Sequence, residues 1–202
     1  MNAMFKNETS FNQDISTWDV SNVTNFYKMF DHATVFNQDI RTWDVRSATS
    51  FEFMFHYAAA FNNSSQPLDW GTYTSNVTSF RYMFRDSAFN QDISGWSNAS
   101  ITGTGYEGMF NQNYVFNNGG QPLDWTLGTG ATSLKYMFMN ASVFDQVISG
   151  WDVSNITDFE AVFHGASQFT QDLSSWNVAN ATTFKDFIQA WYYPTANYDL
   201  LL

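Results

Sequence analysis

The stretch Phe11-Asn-Gln-Asp-Ile-Ser-Thr-Trp-Asp-Val-Ser-Asn-Val-Thr-Asn-Phe-Tyr-Lys-Met-Phe30 decides the reading of the whole chain, because the 202 residues restate it seven times. Aligning Phe11, Phe36, Phe61, Phe89, Phe116, Phe144 and Phe169 brings the other recurring residues into register, at a period of 25 residues stretched to 27 or 28 by insertions. A unit this short cannot bury its own apolar face, so the period predicts an array in which each unit stacks on its neighbours. Ile15, Trp18 and Val20 have the spacing of the strand segment of a leucine-rich repeat. Phe26, Met29, Phe30 and Ala33 fall at i, i+3, i+4 and i+7, the spacing of one buried helical stripe. The expected fold is an α/β repeat solenoid, a leucine-rich-repeat-like array with one short parallel strand and one short helix per coil of about 25 residues, about seven coils in all.

Other columns acquire roles from this frame. A threonine five residues before the Met position recurs at Thr24, Thr49, Thr78, Thr104, Thr132, Thr157 and Thr182, and is expected to cap each helix through its hydroxyl. The glutamines Gln13, Gln38, Gln66, Gln91, Gln121, Gln146 and Gln171 are expected to hydrogen-bond along the stack as a structural ladder. Three residues after the threonines, Glu52, Arg81, Glu107, Lys135, Glu160 and Lys185 alternate in sign, which favours one stacking register over a repelling column.

Residues 1–202 are expected to form a single solenoid domain, with 1–10 a truncated first repeat and 187–202 a C-terminal cap and tail. Met4-Phe5 stands in the phase of Met29-Phe30, so the chain is expected to be a segment or a processed form of something longer. At the other end Trp191 replaces a small residue and Pro194 falls where the next phenylalanine belongs; the Trp191-Tyr192-Tyr193 cluster is the candidate cap.

Aromatic residues make up 19% of the chain and charged residues 13%, a composition for a packed core rather than for disorder. The formal charge of −11 would repel phosphate backbones and anionic lipid, so nucleic acid is not expected as a partner. With no cysteine, disulfides and thiolate chemistry are excluded. No apolar run approaches the roughly 20 residues of a membrane span, and no direct membrane insertion is expected.

The wording Phe-Asn-Gln-Asp-Ile-Ser-x-Trp-Asp-Val-Ser-Asn-Val-Thr-x-Phe-x-x-Met-Phe, seen at 11–30 and largely again at 36–55 and 144–163, resembles the repeat of the BspA-like leucine-rich-repeat surface proteins. That group was long labelled a domain of unknown function in mycoplasmas, other bacteria and marine microalgae. The resemblance implies a right-handed solenoid, an extracellular or cell-surface setting, and adhesion or protein binding as the work. It carries over no catalytic residues. This chain departs from the pattern in lacking the signal and anchor regions, and in having mostly Phe at a helix position usually held by Met.

Residues able to do chemistry are sparse. His56 and His164 share a phase four units apart, and His32 and His56 lie in adjacent units one position out of phase; all three are expected at helix C-terminal ends rather than on a metal. Asp14, Asp39, Asp92 and Asp172 share a phase that would suit a calcium-binding column, but Pro67, Pro122 and Val147 interrupt it, so a solvated edge is expected. The sequons at Asn7, Asn22, Asn76, Asn155 and Asn180 are read first as local hydrogen bonding. No enzyme, metal or cofactor is expected.

The functional signal lies in two matching insertions. Asn62-Asn63-Ser64-Ser65-Gln66 and Asn117-Asn118-Gly119-Gly120-Gln121 each add three residues before Pro-Leu-Asp-Trp, so loops are expected to rise on either side of the shorter fourth unit. Asn63, Ser64, Ser65, Asp69, Asn118, Gly119, Gly120 and Asp124 are the candidate binding residues. Shortening both loops is expected to leave melting nearly unchanged while weakening partner binding. The function expected is a non-enzymatic protein-protein interaction or adhesion module, a surface domain or a docked subunit. The alternative is an ice- or polysaccharide-binding solenoid, on the flat polar face of Ser16-Thr17, Ser94-Gly95, Ser149-Gly150 and Ser174-Ser175.

Overall fold

The phenylalanine spacing that reads as a helix is met by a different local structure. In the computed structural model, which describes residues 1–188, the Met29 N–H donates to the Phe26 carbonyl at 3.0 Å and the Ala33 N–H to the Phe30 carbonyl at 3.0 Å. The third residue of each turn, Lys28 and then His32, has a left-handed φ of 55° and 61°. Two successive four-residue turns with a positive φ in third place are type II turns. They put their first and fourth residues on one side, so Phe26, Met29, Phe30 and Ala33 are all buried, as the helical stripe would have been.

The backbone donors decide between the two structures. An α-helix would spend these N–H groups inside the unit, whereas the double turn leaves alternate ones for the neighbour. Phe26 N–H donates to Ser50 at 3.0 Å, Lys28 to Glu52 at 3.0 Å, Phe30 to Met54 at 2.9 Å and His32 to His56 at 2.8 Å. The same ladder recurs up the chain, for example Phe53 to Arg81, Phe84 to Met109, Phe110 to Met137, Phe138 to Val162 and Phe163 to Phe187. Residues 1–10 share it, with Ala3 bonded to Tyr27, Phe5 to Met29 and Asn7 to Asp31.

The α/β solenoid of strand and helix is therefore not what the chain builds. Among the described residues there is no α-helix, only three short 3-10 segments, Asn63–Ser65, Gly71–Thr74 and Asn118–Gly120. Extended structure is confined to a two-stranded parallel sheet of β1 (Thr102–Gly103) and β2 (Gly130–Ala131), in register Thr102 to Gly130, with isolated parallel bridges such as Asn25 to Ser50 and Ser50 to Ser79. With no helix to cap, the threonines take another role. Thr49 bonds the Thr24 carbonyl through both its N–H (2.8 Å) and its hydroxyl (3.0 Å), and Thr78, Thr157 and Thr182 do the same to the threonine of the unit before. The histidines likewise do not sit at helix ends. The expected C-terminal cap and tail at 187–202, including Trp191, Tyr192, Tyr193 and Pro194, lies outside the described residues from 189 onward.

The core is a pair of interleaved phenylalanine columns. Phe30, Phe55, Phe84, Phe110, Phe138 and Phe163 follow one another at 5.5 to 5.9 Å with rings nearly parallel. Each also stacks on the phenylalanine that begins the next unit, as Phe55 on Phe61 at 3.6 Å and Phe110 on Phe116 at 3.7 Å. Beside them Trp43, Trp70, Trp96, Trp125, Trp151 and Trp176 each donate the indole N–H to the Ile or Leu carbonyl of the preceding unit, at 2.9 to 3.3 Å. A Trp can be buried here because its single polar atom finds a partner. No helix among the described residues is long and apolar enough to cross a membrane.

Candidate functional site

The column that welds the edge nearest the insertions is asparagine, not glutamine. Asn37, Asn62, Asn90 and Asn117 each donate their backbone N–H to the side-chain oxygen of the residue one unit earlier, Asn12, Asn37, Asn62 and Asn90, at 2.7 to 2.9 Å. Asp145 and Thr170 continue the column. The glutamines lean onto it: Gln38 donates to the Asn12 carbonyl and side chain, Gln91 to the Asn62 side chain and Gln171 to Asp145. Gln66 accepts from Arg41 instead. An amide oxygen held one unit away meets a backbone N–H that the turn leaves open, and this asymmetric pairing satisfies both.

The insertions fold into this column rather than out of it. Asn63 is fully buried: its Oδ1 accepts the Ile40 N–H at 2.8 Å, and its Nδ2 donates to the Gln66 and Pro67 carbonyls at 2.9 and 3.1 Å. Asn118 repeats the arrangement with Ile93, Gln121 and Pro122. Ser64 then stands in for the displaced glutamine, its N–H on the Asn37 side chain and its hydroxyl on the Asn37 carbonyl, and the Gly119 N–H bonds Asn90 in the same way. Of the eight candidate binding residues, Asn63 and Asn118 are thus internal plugs, and Ser64, Ser65, Gly119 and Gly120 are exposed on the tight turns around them. Each loop is tied in by a plug with three hydrogen bonds, so shortening it is now expected to lower the melting temperature rather than leave it nearly unchanged.

Asp69 and Asp124 are exposed and flank the fourth unit from either side. Two adjoining hollows lie there. One, of about 300 Å³, is lined by Pro67, Asp69, Asp92, Ile93, Ser94, Gly95 and Trp96. The other, of about 270 Å³, is lined by Ser94, Trp96, Ser97, Asn98, Ala99, Asp124, Trp125 and Thr126. Gly95 leaves the floor open: no atom lies within 4 Å of where a Cβ would stand. Asp92 accepts both the backbone N–H and the hydroxyl of Ser94, at 2.9 and 2.7 Å, which fixes the turn between the hollows.

The chemistry of this lining is one-sided. Asp69, Asp92 and Asp124 are acceptors, neither hollow is lined by lysine or arginine, and Asn98, only 3% exposed, has an Oδ1 with no hydrogen-bond partner among the described residues. Its Nδ2 is held on the Trp96 carbonyl at 3.0 Å, which aims the amide. Nearby Tyr106 is locked by the Gly128 N–H, and burial pushes its phenol well above the usual range, so it stays neutral. Such a lining suits a ligand that brings donors and positive charge. Asn98, Ser94 and Gly95 were not among the residues singled out for binding; the interruption of the Trp-Asp-Val wording into Trp96-Ser97-Asn98 is the signal that marks them.

Elsewhere the interrupted aspartate column serves turns. Asp14, Asp39 and Asp172 each accept the backbone N–H two residues ahead, and the bond from Ser16 holds the Asp14 carboxyl below its usual range, as Ser174 does for Asp172.

A family model described as Mycoplasma protein of unknown function, DUF285, matches residues 1–74, 69–129 and 121–193, three tandem stretches that between them cover nearly the whole chain. No curated protein and no solved structure matches it.

Proposed function

The chain belongs to this DUF285 family of repeat proteins, and from that premise we propose that it is a non-enzymatic interaction module that docks a basic segment of another protein over its fourth unit. The observation that carries the reading is the pair of adjoining hollows between Asp69 and Asp124, lined by three carboxylates and the unpartnered Asn98 oxygen and by no lysine or arginine. A stack of units joined by backbone ladders needs no ordering before contact, which lowers the cost of association. Its net charge of −11 adds steering toward a cationic partner. We extend the proposal to a cell-surface setting, on the repeat wording shared with BspA-like surface proteins; labelling of intact cells with an impermeant biotin reagent tests that part, and an unlabelled chain would withdraw it.

The docking reading is tested with Gly95→Trp, whose Cβ would stand in open space at the floor, and with Asp69→Asn combined with Asp124→Asn. Bait carrying either change should lose a stoichiometric partner that the natural chain retains from an extract of its source. A control at Tyr114, which lines a separate hollow with Ala59, Ala88 and Val115, should keep it. Equal capture by natural chain and Gly95→Trp would remove the hollows from the function.

A second reading, an ordered ligand such as ice or a polysaccharide, gains one specific observation. The threonine column is free of helix capping, and Thr24, Thr49, Thr78, Thr132 and Thr182 are exposed. Their spacing follows the unit stack, roughly 4.8 Å per step. Because Thr49, Thr78 and Thr182 spend their hydroxyl protons on the preceding carbonyl, they would meet a ligand as acceptors. Thermal hysteresis or ice shaping in dilute solution supports this reading, and unmodified ice growth together with no retention on polysaccharide columns ends it.

A further inference from the structure

Two histidines that look unrelated in sequence meet on one buried carboxylate. Asp31 and His56 follow the core phenylalanines Phe30 and Phe55 and so occupy the same place in adjacent units. His32 sits at the left-handed position of its turn, φ 61°, with its N–H bonded to the His56 carbonyl at 2.8 Å. The Nδ1 atoms of His32 and His56 lie 2.6 and 2.8 Å from the same oxygen, Asp31 Oδ1. One donor atom from each of the three residues lies within 4.8 Å of the others.

We propose that Asp31, His32 and His56 form a three-ligand site for a divalent transition-metal ion of the zinc type, joining the first unit to the second. Two imidazole nitrogens and one carboxylate oxygen are the donors that zinc, copper and nickel favour, while calcium and magnesium demand shells of oxygen. Metal bonds of roughly 2.0–2.1 Å in a tetrahedral site need donors roughly 3.3 Å apart. The two rings therefore have only to move back slightly from the carboxylate, each binding the ion through Nδ1 as the neutral imidazole with its one proton on Nε2 and any second proton released to solvent. The fourth position is left to water or to a donor from outside.

Burial and packing suit this use. The Asp31 side chain is 4% exposed, that of His56 13% and that of His32 45%, so the site is closed on the inner side and reached past His32. The rings are held by aromatic neighbours, His32 stacked on Tyr57 at 4.7 Å and His56 edge-on to Phe53 at 5.3 Å. That support is what a metal site needs to keep its geometry. Lys6, 3.8 Å from Asp31 Oδ2, and Arg85 are the cations nearby; Arg85 is paired with Asp86 at 3.3 Å, and the Lys6 side chain is 39% exposed.

Zinc titration of the full, tag-free chain by calorimetry, with Co²⁺ absorption as a second readout, tests the proposal. The natural chain should bind one zinc ion per chain, melt at a temperature that rises with zinc concentration, and give the visible bands of four-coordinate Co²⁺. His32→Ala, at the exposed edge, should bind zinc at least about tenfold more weakly, lose the Co²⁺ bands and show a melting temperature that no longer rises with zinc. Asp31→Asn should also lose the bands. No saturable binding by the natural chain at roughly millimolar zinc, or equal binding by His32→Ala, would overturn the site.

Discussion

At the scale of single residues, the fold depends on polar side chains that reach one unit away. Asn118 is the sharpest case, since its amide accepts the buried Ile93 N–H and donates to the Gln121 and Pro122 carbonyls. Asn118→Ala leaves all three without a partner and should cost about 1–3 kcal/mol, read as a shift in denaturation midpoint at constant slope. Gly108 makes a second prediction. It stands at φ 58° in a column that elsewhere holds Lys28, Phe53, Tyr82, Tyr136 and Ala161, so left-handed backbone alone does not require glycine there. What does is the Tyr82 ring, whose nearest atom would lie 2.0 Å from an added Cβ. Gly108→Ala should destabilise by about 1–2 kcal/mol or more through the strained φ and the displaced ring, while Ala161→Gly in the same column should be close to neutral.

At the scale of the element, a helix and a pair of type II turns share one apolar spacing, and hydrophobic periodicity cannot separate them. The distinction lies in where the N–H groups go, inward along a helix or outward to the next unit, and only the neighbour's backbone shows that. Far-UV circular dichroism of the folded chain should lack the double minimum of α-helix; its presence would contradict the double turn. The insertions teach the same lesson. As added residues they read as loops around a binding surface, yet Asn63 and Asn118 fold back as plugs, and deleting 63–65 should lower the melting temperature measurably rather than leave it unchanged. Of the eight candidate residues Asp69 and Asp124 line the two hollows, whose floor at Ser94, Gly95 and Asn98 comes from the unit without an insertion.

At the scale of the whole molecule, the alternating charges tie units in pairs and threes. Arg81 bonds Glu107 at 2.9 Å, and Glu160 is held between Lys135 at 2.7 Å and Lys185 at 3.2 Å. The hydrogen bond from Lys135, helped by Lys185, holds the Glu160 carboxyl down at about 2, from an ordinary 4.5. A carboxylate depressed in the folded state stabilises fully above its ordinary value and loses that contribution as pH falls through the folded one. The difference in melting temperature between the natural chain and Glu160→Gln should thus be constant above pH 4.5 and close as the pH approaches 2. A difference that persists at the acid end would assign the stabilisation to packing.

The sequence by itself determined that the chain is a stack of like units, which residues form its core, and that its charges alternate along one edge, because those properties depend only on which residue types recur at which interval. Tertiary structure alone decided the rest: turns in place of helices, asparagine in place of glutamine as the ladder, threonines bonded to the unit before, and Asp31, His32 and His56 gathered across two units. Each of these turns on where a backbone donor finds its acceptor, and in this chain that acceptor sits about 25 residues away, in a neighbour whose position no local pattern encodes.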